Sequence, residues 1–131
     1  RIRLAIENMD KTQPDGFLLS ELENLAQDYD LAFVLDVQHA FERDISMAYA
    51  NDLFEAMHSH RRLAHLHVSG EAKGSNHCLL HRAENASAIV EFLGKVFSAT
   101  NVPIILEGEY KNAEELGTEI EFITKEIGIE W

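Results

Sequence analysis

The stretch Leu31-Ala32-Phe33-Val34-Leu35-Asp36-Val37-Gln38-His39 decides how this chain is read. Its first five residues are an apolar run of strand length, of the kind a strand covered on both faces needs. The run ends in a carboxylate, and an imidazole follows three residues later; both groups bind divalent metals or move protons. The same event recurs three times, since Ile2 to Ile6 ends in Glu7, Leu63 to Leu66 in His67, and Pro103 to Leu106 in Glu107. The intervals between these four end residues are 29, 31 and 40 residues. Each has room for one helix and two loops, the size of a βα unit.

Alternation within the runs assigns their faces. Ile2, Leu4 and Ile6 oppose Arg3, Ala5 and Glu7; Leu31, Phe33 and Leu35 oppose Ala32, Val34 and Asp36; Ala64, Leu66 and Val68 oppose Leu63, His65 and His67; Ile104 and Leu106 oppose Pro103, Ile105 and Glu107. Bulky aliphatics share one side, and the polar end residue always lies on the other. Four stripes at helical spacing lie between and after the runs: Leu18, Leu22, Leu25 and Tyr29 behind Pro14-Asp15-Gly16; Ile45, Ala48, Tyr49, Leu53 and Ala56 with Asp44 as N-cap; Ala86, Ile89, Val90, Leu93, Val96 and Phe97; and Leu116, Ile120, Ile123 and Ile127 behind an Asn112 cap. The order is β-α four times over, which predicts parallel strands with right-handed crossovers. The expected fold class is α/β, a (βα)4 half of a TIM-type barrel with helices on the outer face and the ligand site at the mouth.

The chain has 131 residues, 46% of them hydrophobic, which suits a single domain over residues 1–131. A net charge of −12 repels phosphate backbones and disfavours nucleic acid as a partner. Cys78, the single cysteine, has no partner for an internal disulfide; no apolar run nears the ~20 residues of a membrane span; and the N-terminus lacks a signal-peptide pattern. The expectation is a cytoplasmic protein with no membrane association. A strand that starts at the first residues also suggests a segment of a longer protein. No Gly-x-Gly-x-x-Gly or Gly-Lys-Ser/Thr loop follows any strand, so a nucleotide fold has no signature here.

Glu7, Asp36, His67 and Glu107 form the expected metal set, because inward side chains at the ends of neighbouring parallel strands converge at one rim. Three carboxylates and one imidazole suit one Mg²⁺, Mn²⁺ or Co²⁺ ion, with Zn²⁺ also accommodated. His65 has the parity of His67 but lies deeper and reads as a hydrogen-bonded core residue. His58 and His60 sit at a helix end, where cationic groups complement the dipole. His77, His81 and Arg82 lie in a polar connection from Gly70 to Glu84, the kind of loop that meets ligands. Cys78 reads as packing.

The segments Ile6-Glu7-Asn8-Met9, Leu35-Asp36-Val37-Gln38-His39, His65-Leu66-His67-Val68 and Ile105-Leu106-Glu107 together resemble the last four strands of the xylose-isomerase-like barrel. That fold is shared by sugar isomerases and epimerases and by the type-IV apurinic endonucleases, the AP endonuclease family 2. The resemblance covers the whole chain and half of such a barrel, the N-terminal half being absent. It implies metal binding by Glu7, Asp36, His67 and Glu107, proton relay by Glu7 and Glu107 as catalytic residues, and a supporting, substrate or second-metal role for His39. From their place in the polar connection after His67, and not from the resemblance, His77 is a candidate to touch substrate or a second ion and Arg82 a candidate to touch substrate. The activity implied is a metal-dependent isomerase or epimerase of a sugar-like small molecule. The endonuclease branch has an Asp-x-His motif where this chain has Ser75-Asn76-His77, and it remains the alternative, together with a half-barrel that serves only for binding or assembly. An open half-barrel further predicts a homodimer or a missing half that covers the exposed wall.

Overall fold

The computed structural model describes residues 3–129. The strands are β1 (Ala5–Glu7), β2 (Ala32–Asp36), β3 (Leu63–Val68), β4 (Gly70–Ala72), β5 (Ser75–Cys78) and β6 (Ile104–Leu106). The helices are α1 (Leu19–Asp28), α2 (Val37–Arg43), α3 (Ala48–Ser59), α4 (Ala86–Ala99) and α5 (Ala113–Ile127), with a single 3-10 turn at Leu80–Arg82. Four strands form an open parallel sheet in the order β1-β2-β3-β6, and β4 and β5 form a separate antiparallel hairpin. The α/β class and the parallel order therefore match the sequence reading.

The described residues divide into two compact units, the first holding residues 3–67 and 102–105, the second residues 68–101 and 106–129. In the first unit the register pairs Ile6 with Phe33 and Leu35 with Leu66, which puts these apolar residues on one face. Phe33, Leu35 and Leu66 are fully buried, as are Val37 and Ala40 of α2 and Leu53 and Met57 of α3. The other face carries Ala5, Glu7, Val34, Asp36, His65 and His67, because Glu7 pairs with Val34, Val34 with His65 and Asp36 with His67. One irregularity makes this possible. Phe33 pairs with Leu63 but Val34 with His65, so Ala64 is an extra residue in β3. Without that bulge every later side chain of β3 would point to the opposite face.

Several elements depart from the sequence expectation. The expected strand residue Ile2 lies outside the described residues. Leu4, assigned to an apolar face, is 67% exposed at the edge of the sheet, where its carbonyl accepts from Ala32 N–H at 2.9 Å. Helix α2 was not anticipated, because at seven residues it is too short to show a periodic stripe. Asp44 is not the N-cap residue of α3. It closes α2 as the C-cap and still reaches forward, accepting from Ser46 N–H and Tyr49 N–H at 3.0 Å each, while Met47 takes the left-handed conformation (φ 63°) that lets the chain turn between the helices. The Gly70–Glu84 connection is a hairpin and a 3-10 turn rather than a plain loop, with Gly74 at φ 89° in the tight turn. The cap at Asn112 is present as expected, its side chain accepting from Glu115 N–H at 2.9 Å.

The second unit is tied together by a buried carboxylate. Glu119 of α5 is 1% exposed and accepts hydrogen bonds from Leu80 N–H, from His81 N–H at 3.0 Å and from the His81 ring Nδ1 at 2.6 Å. Three donors offset much of the cost of burying the charge. Glu119→Ala strands two backbone N–H groups and is expected to cost on the order of 3 kcal/mol. Glu119→Gln keeps one acceptor and should cost less than the alanine change. Urea unfolding checks the order of the two variants, and an alanine variant as stable as wild type would refute the latch.

Candidate metal centre

The centre is built on Asp36, whose surroundings follow from its place at the last residue of β2. Its backbone is held from β1 by one side chain, Asn8: Asp36 N–H donates to Asn8 Oδ1 at 2.9 Å, and Asn8 Nδ2 donates to Asp36 O at 2.9 Å. Asn8 is fully buried, so its amide replaces the ladder bonds that β1 no longer supplies beyond Glu7. The Asp36 carboxylate then caps α2, with Oδ1 accepting from His39 N–H at 2.8 Å. This leaves Oδ2 facing the His39 ring, 3.6 Å from Nδ1.

Glu7 stands between two imidazoles. Its Oε1 lies 3.4 Å from His39 Nδ1, and its Oε2 lies 3.1 Å from His67 Nδ1. His39 Nδ1 is also 3.0 Å from the Asn8 carbonyl, and His67 Nε2 is 3.2 Å from His65 Nε2. One ligand atom each from Glu7, Asp36 and His39 lies within 4.8 Å of the others, a spacing at which a single cation can be held. The donor set is oxygen-rich with imidazole nitrogen, which fits a hard or borderline divalent ion. The two carboxylates differ in access, since the Glu7 side chain is 31% exposed and that of Asp36 is 2% exposed.

The charges in this cluster hold one another. Burial works against a charged His39, but the hydrogen bond to Glu7, the Asp36 charge and the Asn8 carbonyl outweigh it and raise the His39 pKa to about 9. Burial likewise works to raise the Glu7 pKa, and it is overcome by the His39 hydrogen bond and by the nearby His67, His39 and His65, so the carboxyl sits below its ordinary range. At neutral pH the cluster thus holds an ionised Glu7 against a protonated His39. A cation binding there displaces the His39 proton if that ring is to ligate.

The connection after β1 is pinned by α2. Arg43 is four residues from His39 and donates to the carbonyls of Asp10 and Gln13, the latter at 2.9 Å, while its guanidinium lies 3.7 Å from the centre of the Phe17 ring. Tyr49 of α3 donates its hydroxyl to Phe17 O. The segment that follows Glu7 is therefore fixed at both ends rather than left to fluctuate.

The other expected site residues fall as follows. Glu107 follows β6 and belongs to the second unit, where its N–H donates to Val68 O at 2.9 Å. His77 is exposed on β5 and borders a groove with Glu71, Lys73, Asn76, Glu84 and Glu109. Arg82 pairs with Glu115 at 2.9 Å, and His81 is held by Glu119. His58 stacks on Phe54, and His60 stands 3.8 Å from Glu23. His65, expected as a core residue, is only partly buried and is hydrogen-bonded to His67. Sequence reasoning gave no role to Asn8 or Arg43. Asn8 was legible only as the residue after a strand-ending carboxylate, and Arg43 lay in a helix that had no stripe.

The pKa directions carry a pH dependence for the metal-free protein. A pKa raised on folding contributes stability that is complete below about 6.5 and is lost as pH rises through about 9. The lowered Glu7 pKa acts oppositely, its contribution being present above 4.5 and lost as pH falls through the lowered value. In chelator, stability should drop by on the order of 2 kcal/mol between pH 6 and pH 9.5, and His39→Gln should flatten that limb. A wild-type profile as flat as that of the variant would remove the ion pair. The chain was compared with family models, with curated proteins and with solved structures, and it matches none of them.

Proposed function

We propose that this chain carries the metal site of an isomerase or epimerase that acts on a sugar or a related polyol. The open parallel sheet is read as one wall of a xylose-isomerase-like barrel. The observation that carries the reading is Glu7, a reachable carboxylate flanked by two imidazoles, on the same sheet face as a buried Asp36. Asp36, locked by Asn8 and shielded from solvent, is suited to hold an ion and little else. Glu7 is suited to meet a substrate C–H as a general base, being ionised at neutral pH and open to solvent. His39 and His67 complete the binding set around it, and the sequence pattern nominates Glu107 as a further carboxylate ligand and second proton carrier. A divalent ion bound there, as one Mn²⁺, Mg²⁺ or Co²⁺ or alternatively Zn²⁺, would polarise substrate oxygens and acidify the adjacent C–H. The net charge of −12 and Ser75 in place of an aspartate weigh against the nuclease alternative.

Two measurements test this. Asp36→Asn keeps the shape of the side chain and removes a ligand charge, so its Mn²⁺ affinity by titration calorimetry is expected to fall at least about tenfold; wild-type affinity would remove Asp36 from the site. Glu107→Gln, titrated in parallel, decides whether that residue belongs to the set. For the reaction, a panel of aldoses and ketoses incubated with Mn²⁺-loaded protein in deuterated water is expected to gain deuterium at the carbon next to the carbonyl. No incorporation from any member, with metal bound, would reject the isomerase reading.

A further inference from the structure

Helix α2 presents two side chains one turn apart, His39 and Arg43, to the connection that follows β1. His39 Nδ1 lies 3.0 Å from the Asn8 carbonyl. Arg43 takes the carbonyls that come next: Nη2 donates to Asp10 O and, at 2.9 Å, to Gln13 O, while Nε faces Met9 O at 3.5 Å. The flat face of the same guanidinium lies 3.7 Å from the centre of the Phe17 ring. The connection is also closed on itself, by Met9 N–H donating to Gly16 O at 3.0 Å and by Asp10 Oδ1 accepting from Thr12 N–H at 2.7 Å. Gly16 closes it at φ 79°, and a Cβ there would stand 2.9 Å from Cγ of Met9. The backbone that Arg43 holds begins directly after Asn8, whose amide fixes Asp36, and so directly downstream of Glu7.

We propose that Arg43 is a positioning residue for the metal centre: by fixing the segment from Met9 to Phe17 it holds Glu7 and Asn8, at the root of that segment, where a bound cation needs them. The inference rests on the metal reading above. A carboxylate whose backbone is ordered beforehand binds an ion more tightly than one that must be ordered on binding. Arginine suits the task and lysine does not. A guanidinium presents a planar fork to several carbonyls while its face lies on an aromatic ring, whereas an ammonium is a compact point charge without that geometry. Electrostatics works against the effect, which makes the two separable. Arg43 is a cation one helical turn from His39, so its charge repels a divalent ion, and removing that charge alone would tighten binding. Positioning has the opposite sign.

The experiment is Mn²⁺ calorimetry of the whole chain as wild type, Arg43→Ala and Arg43→Lys. Each is titrated with and without guanidinium chloride, far below the concentration that unfolds the protein, with sodium chloride and methylammonium chloride as controls. Arg43→Ala should bind Mn²⁺ on the order of tenfold more weakly. Free guanidinium should recover much of that loss where the control salts do not, and Arg43→Lys should stay closer to the alanine variant than to wild type. A second measurement needs no metal: trypsin in chelator should cut after the exposed Lys11 faster in both variants than in wild type. An alanine variant that binds Mn²⁺ as tightly as wild type, or more tightly, overturns the proposal. So does a loss that guanidinium leaves unchanged or that all three salts restore alike, or cleavage at Lys11 that neither substitution accelerates. If Arg43→Ala fails to fold, Arg43→Lys decides, and wild-type affinity or wild-type protection in it overturns the proposal. Failure of the metal reading looks different: wild type itself then gives no heat with Mn²⁺, and both proposals fall together.

Discussion

Everything at the centre hangs on the amide of Asn8 bridging the two polar groups of the Asp36 backbone. A parallel ladder stops being self-satisfying where its strands diverge, and a buried unpaired N–H or C=O there would cost about 1–3 kcal/mol. Asn8 supplies donor and acceptor from one side chain. It holds the strand end in place at the point where Asp36 changes from ladder member to helix cap. The burial of the carboxylate is possible because its backbone and one oxygen are already satisfied.

The cluster around it is a case of charges that are costly alone and tolerable together. Glu7 and Asp36 are like charges on one sheet face, and each is matched by an imidazole: His39 is shared by both carboxylates, and His67 stands against Glu7. Such a network is high in stakes, since removing His39 leaves two partly desolvated carboxylates without the charge that faces both. The atoms that hold the cluster together are therefore the same ones that could hold a metal ion. A cation held by these groups would compete with the His39 proton and so with the ion pair that holds the cluster together without it.

What the sequence disclosed followed from periodicity. The apolar runs located four strands, and the polar residue ending each run placed Glu7, Asp36 and His67 on one face, because alternation is a local property of an extended chain. The parity of β3 was legible, but the extra residue Ala64 that brings it into register with β2 was not, since a bulge is set by pairing with another strand. Helix α2 was missed for its shortness, and Asp44 was misplaced because its backbone closes α2 while its carboxylate reaches forward to the start of α3. The roles of Asn8, His65 and Arg43 depend on partners 28, 2 and 30–34 residues away. Only the short-range one, His65 beside His67, had the correct neighbour visible in sequence.

The direct passage from Asp36 into Val37 has a consequence for how this fold can vary. Strand and helix join with no intervening loop, so the connection has no slack. One residue inserted there would turn α2 by about 100° about its axis and advance it by about 1.5 Å. That single change would carry His39 off the sheet face and Arg43 off the segment it pins, and it would swing Val37 and Ala40 out of the core. Length changes common in surface loops are thus barred at this junction, and variation in the family of sequences able to adopt the fold is confined to substitutions there and to insertions elsewhere, such as the hairpin turn at Gly74.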